Sequence, residues 1–191
     1  MMDFGFRNIG RINTGFGQPI GAVCKIGYVV EDVEDAIRRF HRMMGVGPWF
    51  LLSDFRVREH SYRGQPTGIG LSIAASYCGN TMIELIMQKD DGPSVYRDVI
   101  ADRGYGVHHY AVVVEDLDVE EARLAGMGVD MPYRATTTEI MGDMRVIYAD
   151  TRREIGVMLE MCEYNPVMDG FFTQMKSTAE DWDGQGLIIR V

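Results

Sequence analysis

The sequence predicts an α+β fold in which two tandem β-α-β-β-β units form paired, curved mixed sheets around a central cavity. Two matches between the halves of the chain predict it. Residues 29–32 and residues 113–116 are both Val-Val-Glu-Asp. Further on, Ile-Glu-Leu at 83–85 matches Leu-Glu-Met at 159–161. Matches that recur in the same order indicate a duplicated supersecondary unit.

Each unit is predicted to begin with an apolar, β-rich strand, at residues 23–30 and 107–114. Asp32, and either Asp116 or Asp118, can then accept hydrogen bonds from the first free N–H groups of a helix. Residues 33–44 carry apolar side chains at spacings of three and four, which predicts one buried helix face, and Gly45 ends this helix. Three more strands follow in each unit, at 49–57, 69–78 and 81–88 and at 133–138, 144–150 and 156–162. The two residues Gly79 and Asn80 predict a tight hairpin.

These patterns divide the chain into five segments. The repeated units are predicted at residues 21–90 and 107–164, with a connecting helix in residues 91–106 that has Pro93 near its start. Residues 1–20 contain four glycines and no periodicity, so we predict an N-terminal arm. Residues 165–191 are predicted to be a C-terminal helical tail. The first unit is eight residues longer than the second between the matched segments, which we attribute to a hairpin.

Composition excludes several classes of function. The chain has 191 residues, 46% of them hydrophobic and 25% charged, as expected for a globular protein with its own core. A net charge of −9 repels polyanions, so we expect neither nucleic acid nor a membrane surface as a partner. No secretory signal is recognised, and three scattered cysteines, Cys24, Cys78 and Cys162, predict a reduced, cytoplasmic protein. The glycines form no phosphate-binding fingerprint, so no nucleotide cofactor is expected.

The duplication predicts a site. Related units bring equivalent positions towards a common axis, and the equivalent polar pairs are Lys25 with His109 and Glu84 with Glu160. Each glutamate lies within an apolar strand, where a buried, unpaired carboxylate is strongly unfavourable. A positive group is therefore expected opposite both. Strand alternation further predicts that His108 and His109 point to opposite faces.

The motifs together resemble the vicinal oxygen chelate superfamily over roughly residues 23–163. They are Val-Val-Glu-Asp, a helix and Gly-Val-Gly-Pro-Trp; then Ile-Glu-Leu-Ile; then Gly-Val-His-His-Tyr-Ala; then Tyr-Ala-Asp-Thr and Gly-Val-Met-Leu-Glu. Within the superfamily, the pattern is most similar to the branch of methylmalonyl-CoA epimerases and lactoylglutathione lyase-like proteins. The resemblance implies paired β-α-β-β-β units, commonly a homodimer, and an inward-facing His109. It also implies a divalent metal at the positions of Lys25, Glu84, His109 and Glu160.

Lys25 departs from the family pattern, which has His or Gln at this position. A protonated lysine has no lone pair and cannot bind a metal ion. In one interpretation, Glu84, His109 and Glu160 alone hold Zn, Mn, Fe, Co or Ni. In the other, the Lys25 ammonium takes the place of the metal and pairs with both carboxylates.

The function that we predict is proton transfer next to a carbonyl group, as in an isomerase, epimerase or lyase, on a small or medium organic substrate. Glu84 and Glu160 are the candidate bases, and Lys25 or a metal, with His109, would stabilise the developing oxyanion. Trp49, Tyr62 and Tyr110 are the candidate substrate-binding residues. A ligand-sequestering binding protein is the alternative. A ring-cleaving dioxygenase ranks third, because such members resemble a site of two histidines and one carboxylate around iron, and the matched positions here offer a single histidine.

Overall fold

The structure is a computed structural model that describes residues 12–191, and its elements follow the predicted two-unit order. The first unit contains β1 (Val23–Val29), α1 (Val33–Met44), β2 (Trp49–Phe55), β3 (Val57–Tyr62), β4 (Gln65–Pro66), β5 (Leu71–Cys78) and β6 (Thr81–Gln88). A connecting helix, α2 (Val95–Arg103), leads to β7 (Gly106–Val114), α3 (Leu117–Gly126), β8 (Tyr133–Thr137), β9 (Arg145–Ala149), α4 (Arg152–Ile155) and β10 (Met158–Glu163). The chain ends with α5 (Pro166–Glu180) and β11 (Ile188–Arg190).

All strands of the described residues belong to one mixed sheet, in the order β11-β2-β5-β6-β1-β7-β10-β9-β8-β3-β4. The two units meet at its centre, where β1 and β7 are antiparallel. In each unit the first strand runs parallel to the last, β1 beside β6 and β7 beside β10. The fold class predicted from the duplication is therefore confirmed. The β3–β4 hairpin is extra in the first unit, and β3 pairs with β8 of the second.

Local chemistry sets the ends of the helices. The Asp32 side chain accepts a hydrogen bond from the Asp35 backbone N–H at 2.7 Å, and Gly45 ends α1 in the left-handed conformation. At α3 it is Asp116, not Asp118, that caps the helix, by accepting from Val119 N–H at 3.0 Å. Each cap satisfies an N–H group that has no partner within the helix.

The two faces of the sheet are covered differently. Helices α1 and α3 pack on one face, called here the outer face, over two apolar clusters centred on Ile37 and Leu117. Helix α5 and Phe16 pack over the other face, the inner face, which contains the largest core cluster. The predicted N-terminal arm lies outside the described residues up to residue 11. No helix in the part of the chain from residue 12 onwards has the length and apolarity needed to cross a membrane.

Candidate functional site

Lys25, Glu84, His109 and Glu160 come together on the inner face, one from each of the four central strands β1, β6, β7 and β10. Lys25 Nζ lies 3.0 Å from Glu84 Oε1 and 2.7 Å from Glu160 Oε2. His109 Nε2 lies 3.2 Å from Glu160 Oε2 and 3.5 Å from Glu84 Oε2. The pairs that are equivalent in the duplication thus form one cluster across the β1–β7 junction.

Electrostatic interactions within the cluster keep Lys25 and Glu160 ionised although both are buried. Burial alone would raise the pKa of Glu160, but the nearby Lys25 ammonium and His109 more than offset it and hold that pKa well below the usual range. Burial alone would lower the pKa of Lys25, but the carboxylates of Glu160 and Glu84 raise it well above its usual value. Lys25 is therefore an ammonium and Glu160 a carboxylate at neutral pH.

The two glutamates are not equivalent in the structure. The Glu160 side chain is 6% exposed and has the shorter contacts to both Lys25 and His109. The Glu84 side chain is 11% exposed, and within residues 12–191 the one polar contact recorded for its Oε2 is His109 at 3.5 Å. Glu160 is thus the better neutralised anion, and Glu84 has the oxygen that is freer to react.

His108 and His109 point to the same face, so the prediction from strand alternation was wrong. Gly27 pairs with His109 and Tyr28 pairs with Val107, so β7 has one extra residue in a β-bulge at His108. Both side chains are fully buried, and their Nδ1 atoms are 3.0 Å apart. The second ring nitrogen of His108, Nε2, lies 3.2 Å from the Val95 carbonyl oxygen.

Gly27 makes room for the His109 ring. A Cβ atom on Gly27 would lie 1.9 Å from His109 Cε1, far inside van der Waals contact. Only glycine allows a backbone and a ring to approach so closely. The position could have been found in the sequence, since strand alternation puts residue 27 on the same face as Lys25.

A cavity of about 50 Å³ opens beside the cluster, lined by Lys25, Glu84 and Glu160 at one side. The rest of its wall is mostly apolar, with Leu52, Ile73 and Met82 from the first unit and Phe171, Phe172 and Met175 from α5. A space of this size holds a few water molecules. Helix α5 therefore covers one side of a small, mostly apolar volume.

Three tyrosines that the sequence analysis did not select also line the cavity: Tyr96, Tyr133 and Tyr148. Tyr148 lies directly opposite Glu160 in the β9–β10 pairing, and its ring centroid is 5.1 Å from that of His109. Burial raises the pKa of each of the three, so their hydroxyl groups stay protonated. The feature that could have identified Tyr148 is its position in β9, the strand that pairs with β10, which contains Glu160.

The three predicted substrate-binding residues do not line this cavity. Trp49 is fully buried on the outer face, where it packs against Phe40 of α1 and donates from Nε1 to the Val46 carbonyl oxygen. Tyr110 follows His109 on the outer face, opposite Ile26. Tyr62 donates its hydroxyl to Asp98 at 2.8 Å. Their part in substrate binding stays a prediction, and it would require a surface other than this cavity.

Glu84, His109 and Glu160 have side-chain donor atoms within 4.8 Å of one another, which is a possible metal-ligand set. His109 Nε2 and Glu160 Oε2 also lack a hydrogen bond of good geometry. However, Lys25 Nζ already lies within 3.0 Å of both carboxylates. A divalent ion bound to the same oxygens would stand next to a protonated ammonium, and their repulsion is unfavourable. With Lys25 present, the residues do not fit a divalent metal.

Residues 24–148 match the family model of the Glyoxalase/Bleomycin resistance protein/Dioxygenase superfamily, which is the vicinal oxygen chelate superfamily. The chain belongs to this superfamily. The resemblance noted in the sequence is therefore confirmed, and the match includes Lys25, Glu84 and His109. A search among curated proteins found no match.

Solved structures of the superfamily share the fold at low sequence identity. A hypothetical protein from Bacillus halodurans has 20% identity and a TM-score of 0.53, covering 75% of this chain and 94% of that chain. Methylmalonyl-CoA epimerase from Mycobacterium tuberculosis has 22% identity and a TM-score of 0.52, covering 79% and 93%. A methylmalonyl-CoA epimerase in complex with methylmalonyl-CoA and NH4+ has 19% identity and a TM-score of 0.50, covering 76% and 95%. At these identities the similarity establishes the fold and no particular reaction.

Proposed function

We propose that the chain catalyses proton transfer at a carbon next to a carbonyl group, with the Lys25 ammonium in place of a metal ion. The observation that carries the proposal is the position of Lys25 Nζ, within 3.0 Å of two carboxylates at the wall of a mostly apolar cavity. A base and a fixed positive charge on one side of an apolar space are the two groups that enolate formation needs.

Glu84 is the base in this proposal. Its Oε2 takes the proton from the carbon next to the carbonyl, the C–H bond breaks, and the electron pair moves to the carbonyl oxygen. Lys25 has three N–H donors, of which Glu84 and Glu160 accept two, so the third can donate to the resulting enolate oxygen. Return of the proton to the same carbon, or to its neighbour, gives the exchanged, epimerised or isomerised product.

Glu160 and His109 support these two groups. Glu160 balances the charge of Lys25, which keeps the ammonium in the site without a counterion from solvent. His109 Nε2 lies 3.2 Å from Glu160 Oε2 and 3.5 Å from Glu84 Oε2, so its N–H can donate to the carboxylates and hold them in position. Neither function requires a metal ion.

The wall of the cavity indicates the class of substrate. Lys25 is the only cation among its lining residues in the described chain, and it is already paired with two carboxylates. An anionic group of the substrate would meet Glu84 and Glu160 without a free cation. We therefore propose a compact, uncharged and largely apolar carbonyl compound, not a coenzyme A ester such as the one bound by the epimerase described above.

Hydrogen–deuterium exchange tests the reaction without knowledge of the natural substrate. The purified protein is incubated in D2O with butanone, with cyclopentanone and with methylmalonyl-CoA, and the signals of the protons next to the carbonyl are followed by NMR. We expect exchange of at least one ketone, and a roughly 100-fold or larger loss of rate in Glu84→Gln, the typical contribution of a general base. The exposed Glu31→Gln is the matched control and should keep full activity.

Two outcomes would each contradict one part of the proposal. Equal exchange rates in the wild type and in Glu84→Gln would remove Glu84 as the base. A loss of exchange after chelation that zinc, manganese or cobalt restores would remove Lys25 as the substitute for a metal. Elemental analysis measures the bound metal directly in the purified wild type and in Lys25→His. In the variant, a histidine at this position completes a four-ligand set.

Ligand sequestration is the second candidate function, and the apolar residues that α5 adds to the cavity wall favour it. A binding protein gains affinity when apolar walls bury most of its ligand. Calorimetric titration with the same ketones distinguishes the two functions. Tight binding with no exchange over a day indicates sequestration, and exchange indicates catalysis.

A further inference from the structure

The cavity beside the cluster has its charged lining residues at one end. Lys25, Glu84 and Glu160 are the three charged residues that line it within residues 12–191. Glu160 lies opposite Tyr148, and Tyr148 lies opposite Tyr133, so one row of side chains crosses β10, β9 and β8 beside the cluster. This row marks the charged end of the cavity.

The other end of the cavity is formed where the two units meet again. Leu71 of β5 pairs with Phe55 at the end of β2. Val57, at the start of β3, pairs with Thr137 at the end of β8. All four residues line the cavity. Thr137 lies four residues along β8 from Tyr133, which is about 13 Å of strand. Thr137 is therefore at the far end of the cavity from the charged cluster.

The Thr137 hydroxyl is buried and has no hydrogen-bond partner among residues 12–191. The backbone N–H of Thr137 donates to the Met144 carbonyl oxygen at 2.9 Å, but the neighbouring lining side chains, Val57 and Met144, are apolar. Two other buried hydroxyls in the described chain lack a partner, those of Ser76 and Tyr77, and neither residue lines the cavity.

An unpaired buried hydroxyl lowers stability, and valine has nearly the same shape as threonine without this cost. A threonine at position 137 is therefore unfavourable for the fold alone. Because Thr137 lines the cavity, a partner for its hydroxyl can come from a molecule that occupies the cavity. The hydroxyl is a second polar point in a mostly apolar wall, and it carries no charge.

We infer that the substrate carries a second, uncharged oxygen at the end away from the reacting carbonyl, and that the Thr137 hydroxyl donates a hydrogen bond to this oxygen. The second group is uncharged because the charged lining residues all lie at the other end, and a buried charge without a partner is strongly unfavourable. The two oxygens of the substrate are several bonds apart and not on neighbouring carbons. The inference rests on the proposed function for the reacting end of the substrate, and it makes Thr137 a specificity-determining residue.

Calorimetric titration with matched ketones tests the inference. Hexane-2,5-dione, octane-2,7-dione and decane-2,9-dione are each compared with the 2-ketone of the same chain length, which has a CH2 group in place of the second carbonyl. For at least one chain length, the Kd of the monoketone divided by that of the diketone should fall about fivefold from the wild type to Thr137→Val, the effect of one hydrogen bond. Thr137→Ser keeps the hydroxyl and should keep the wild-type ratio.

Thermal unfolding without ligand separates recognition from a structural role of the hydroxyl. Thr137→Val should unfold at the same temperature as the wild type or a higher one, because it loses no hydrogen bond within the described chain. Thr151→Val is the matched control. The buried Thr151 hydroxyl donates to the Val157 carbonyl oxygen at 2.7 Å, so its loss should lower Tm by about 2–4 °C.

Three results overturn the inference: an unchanged Kd ratio in Thr137→Val at every chain length, a loss of the wild-type ratio in Thr137→Ser, or a fall in the Tm of Thr137→Val as large as that of Thr151→Val. A wild type that binds none of these ketones also overturns it. Deuterium exchange on the same samples tests the proposed function separately. A ratio that depends on Thr137 without exchange supports the inference and counts against proton transfer, and exchange with an unchanged ratio does the reverse.

Discussion

At the scale of single residues, Lys25 decides the chemistry of the site. Its ammonium is the charge that allows two carboxylates to be buried side by side on the inner face. In a superfamily whose pattern has a metal ligand at this position, a lysine replaces an exchangeable cation with one that is covalently attached. In the proposed function, this side chain does the work of the metal, so the reaction depends on Lys25.

We predict that Lys25→Met destabilises the protein by roughly 3–5 kcal/mol at pH 7, because it leaves buried carboxylates without a partner. The loss should shrink as the pH falls. In the wild type, the lowered pKa of Glu160 contributes stability above the unfolded pKa, and this is lost at acid pH. In the variant, burial acts on Glu160 without the opposing charge of Lys25 and raises the pKa of Glu160, so protonation restores stability at acid pH instead.

Urea denaturation of both proteins from pH 4 to pH 8 measures this difference. Lys89→Met is the control, since Lys89 forms a surface ion pair with Asp54 and should change stability by at most about 1 kcal/mol. A difference between wild type and Lys25→Met that does not vary with pH would show that the carboxylates are not the cause.

Gly27 gives a second prediction at the residue scale. Gly27→Ala should destabilise the protein by about 1–3 kcal/mol, because the new methyl group overlaps the His109 ring. Gly170→Ala is the matched control: this glycine lies within α5 with open space around it, and alanine there should stabilise by about 0.5–1 kcal/mol. Thermal unfolding measures both. Equal stability of Gly27→Ala and the wild type would mean that the His109 ring can move away from residue 27 at no cost in stability.

At the scale of elements, α5 sets the size of the cavity. It lies across the inner face and contributes Phe171, Phe172 and Met175 to the wall. Its position is held at its N-terminal end, where Asp169 accepts hydrogen bonds from the backbone N–H of Gly15 at 2.7 Å and from the Tyr164 hydroxyl at 3.2 Å. The tail predicted as a separate segment is thus part of the site.

We predict that Phe172→Ala enlarges the cavity and shifts exchange activity towards bulkier ketones. The ratio of the rates for phenylacetone and butanone should rise, although the lost ring destabilises the fold by about 3–5 kcal/mol. Val167→Ala is the control on the same helix, since Val167 is exposed and should change stability by less than about 0.5 kcal/mol. An unchanged ratio would indicate that substrates do not contact α5.

At the scale of the whole molecule, each unit contributes residues that allow charged or bulky side chains of the other unit to be buried. Lys25 and Gly27 belong to the first unit, and Glu160 and His109 to the second. The β1–β7 pairing joins them, β3 of the first unit completes the edge of the second, and α5 packs over β5 of the first. We therefore regard the two units as one cooperative structure.

The expected consequence is that neither half folds alone. A fragment of residues 1–92 would expose the inner face, and a fragment of residues 93–191 would leave Glu160 without its cation. Mixing the two should restore the NMR spectrum of the intact chain. A cooperative unfolding transition in either isolated fragment would contradict this prediction, and circular dichroism during heating detects it.

Taken alone, the sequence predicted the two units, the bounds of eight of their strands to within two residues and the four residues of the central cluster, but not β3, β4 or α4. These follow from the repeated motifs and from the period-two alternation of side chains in a strand. Both patterns are visible in the sequence and fix which residues of a strand share a face. Only the tertiary structure decided the orientation of His108, the place of Trp49 on the outer face and the contribution of α5 to the cavity wall. A one-residue bulge reverses alternation without a mark in the sequence, and the packing of a tail depends on surfaces formed by residues far away in the chain.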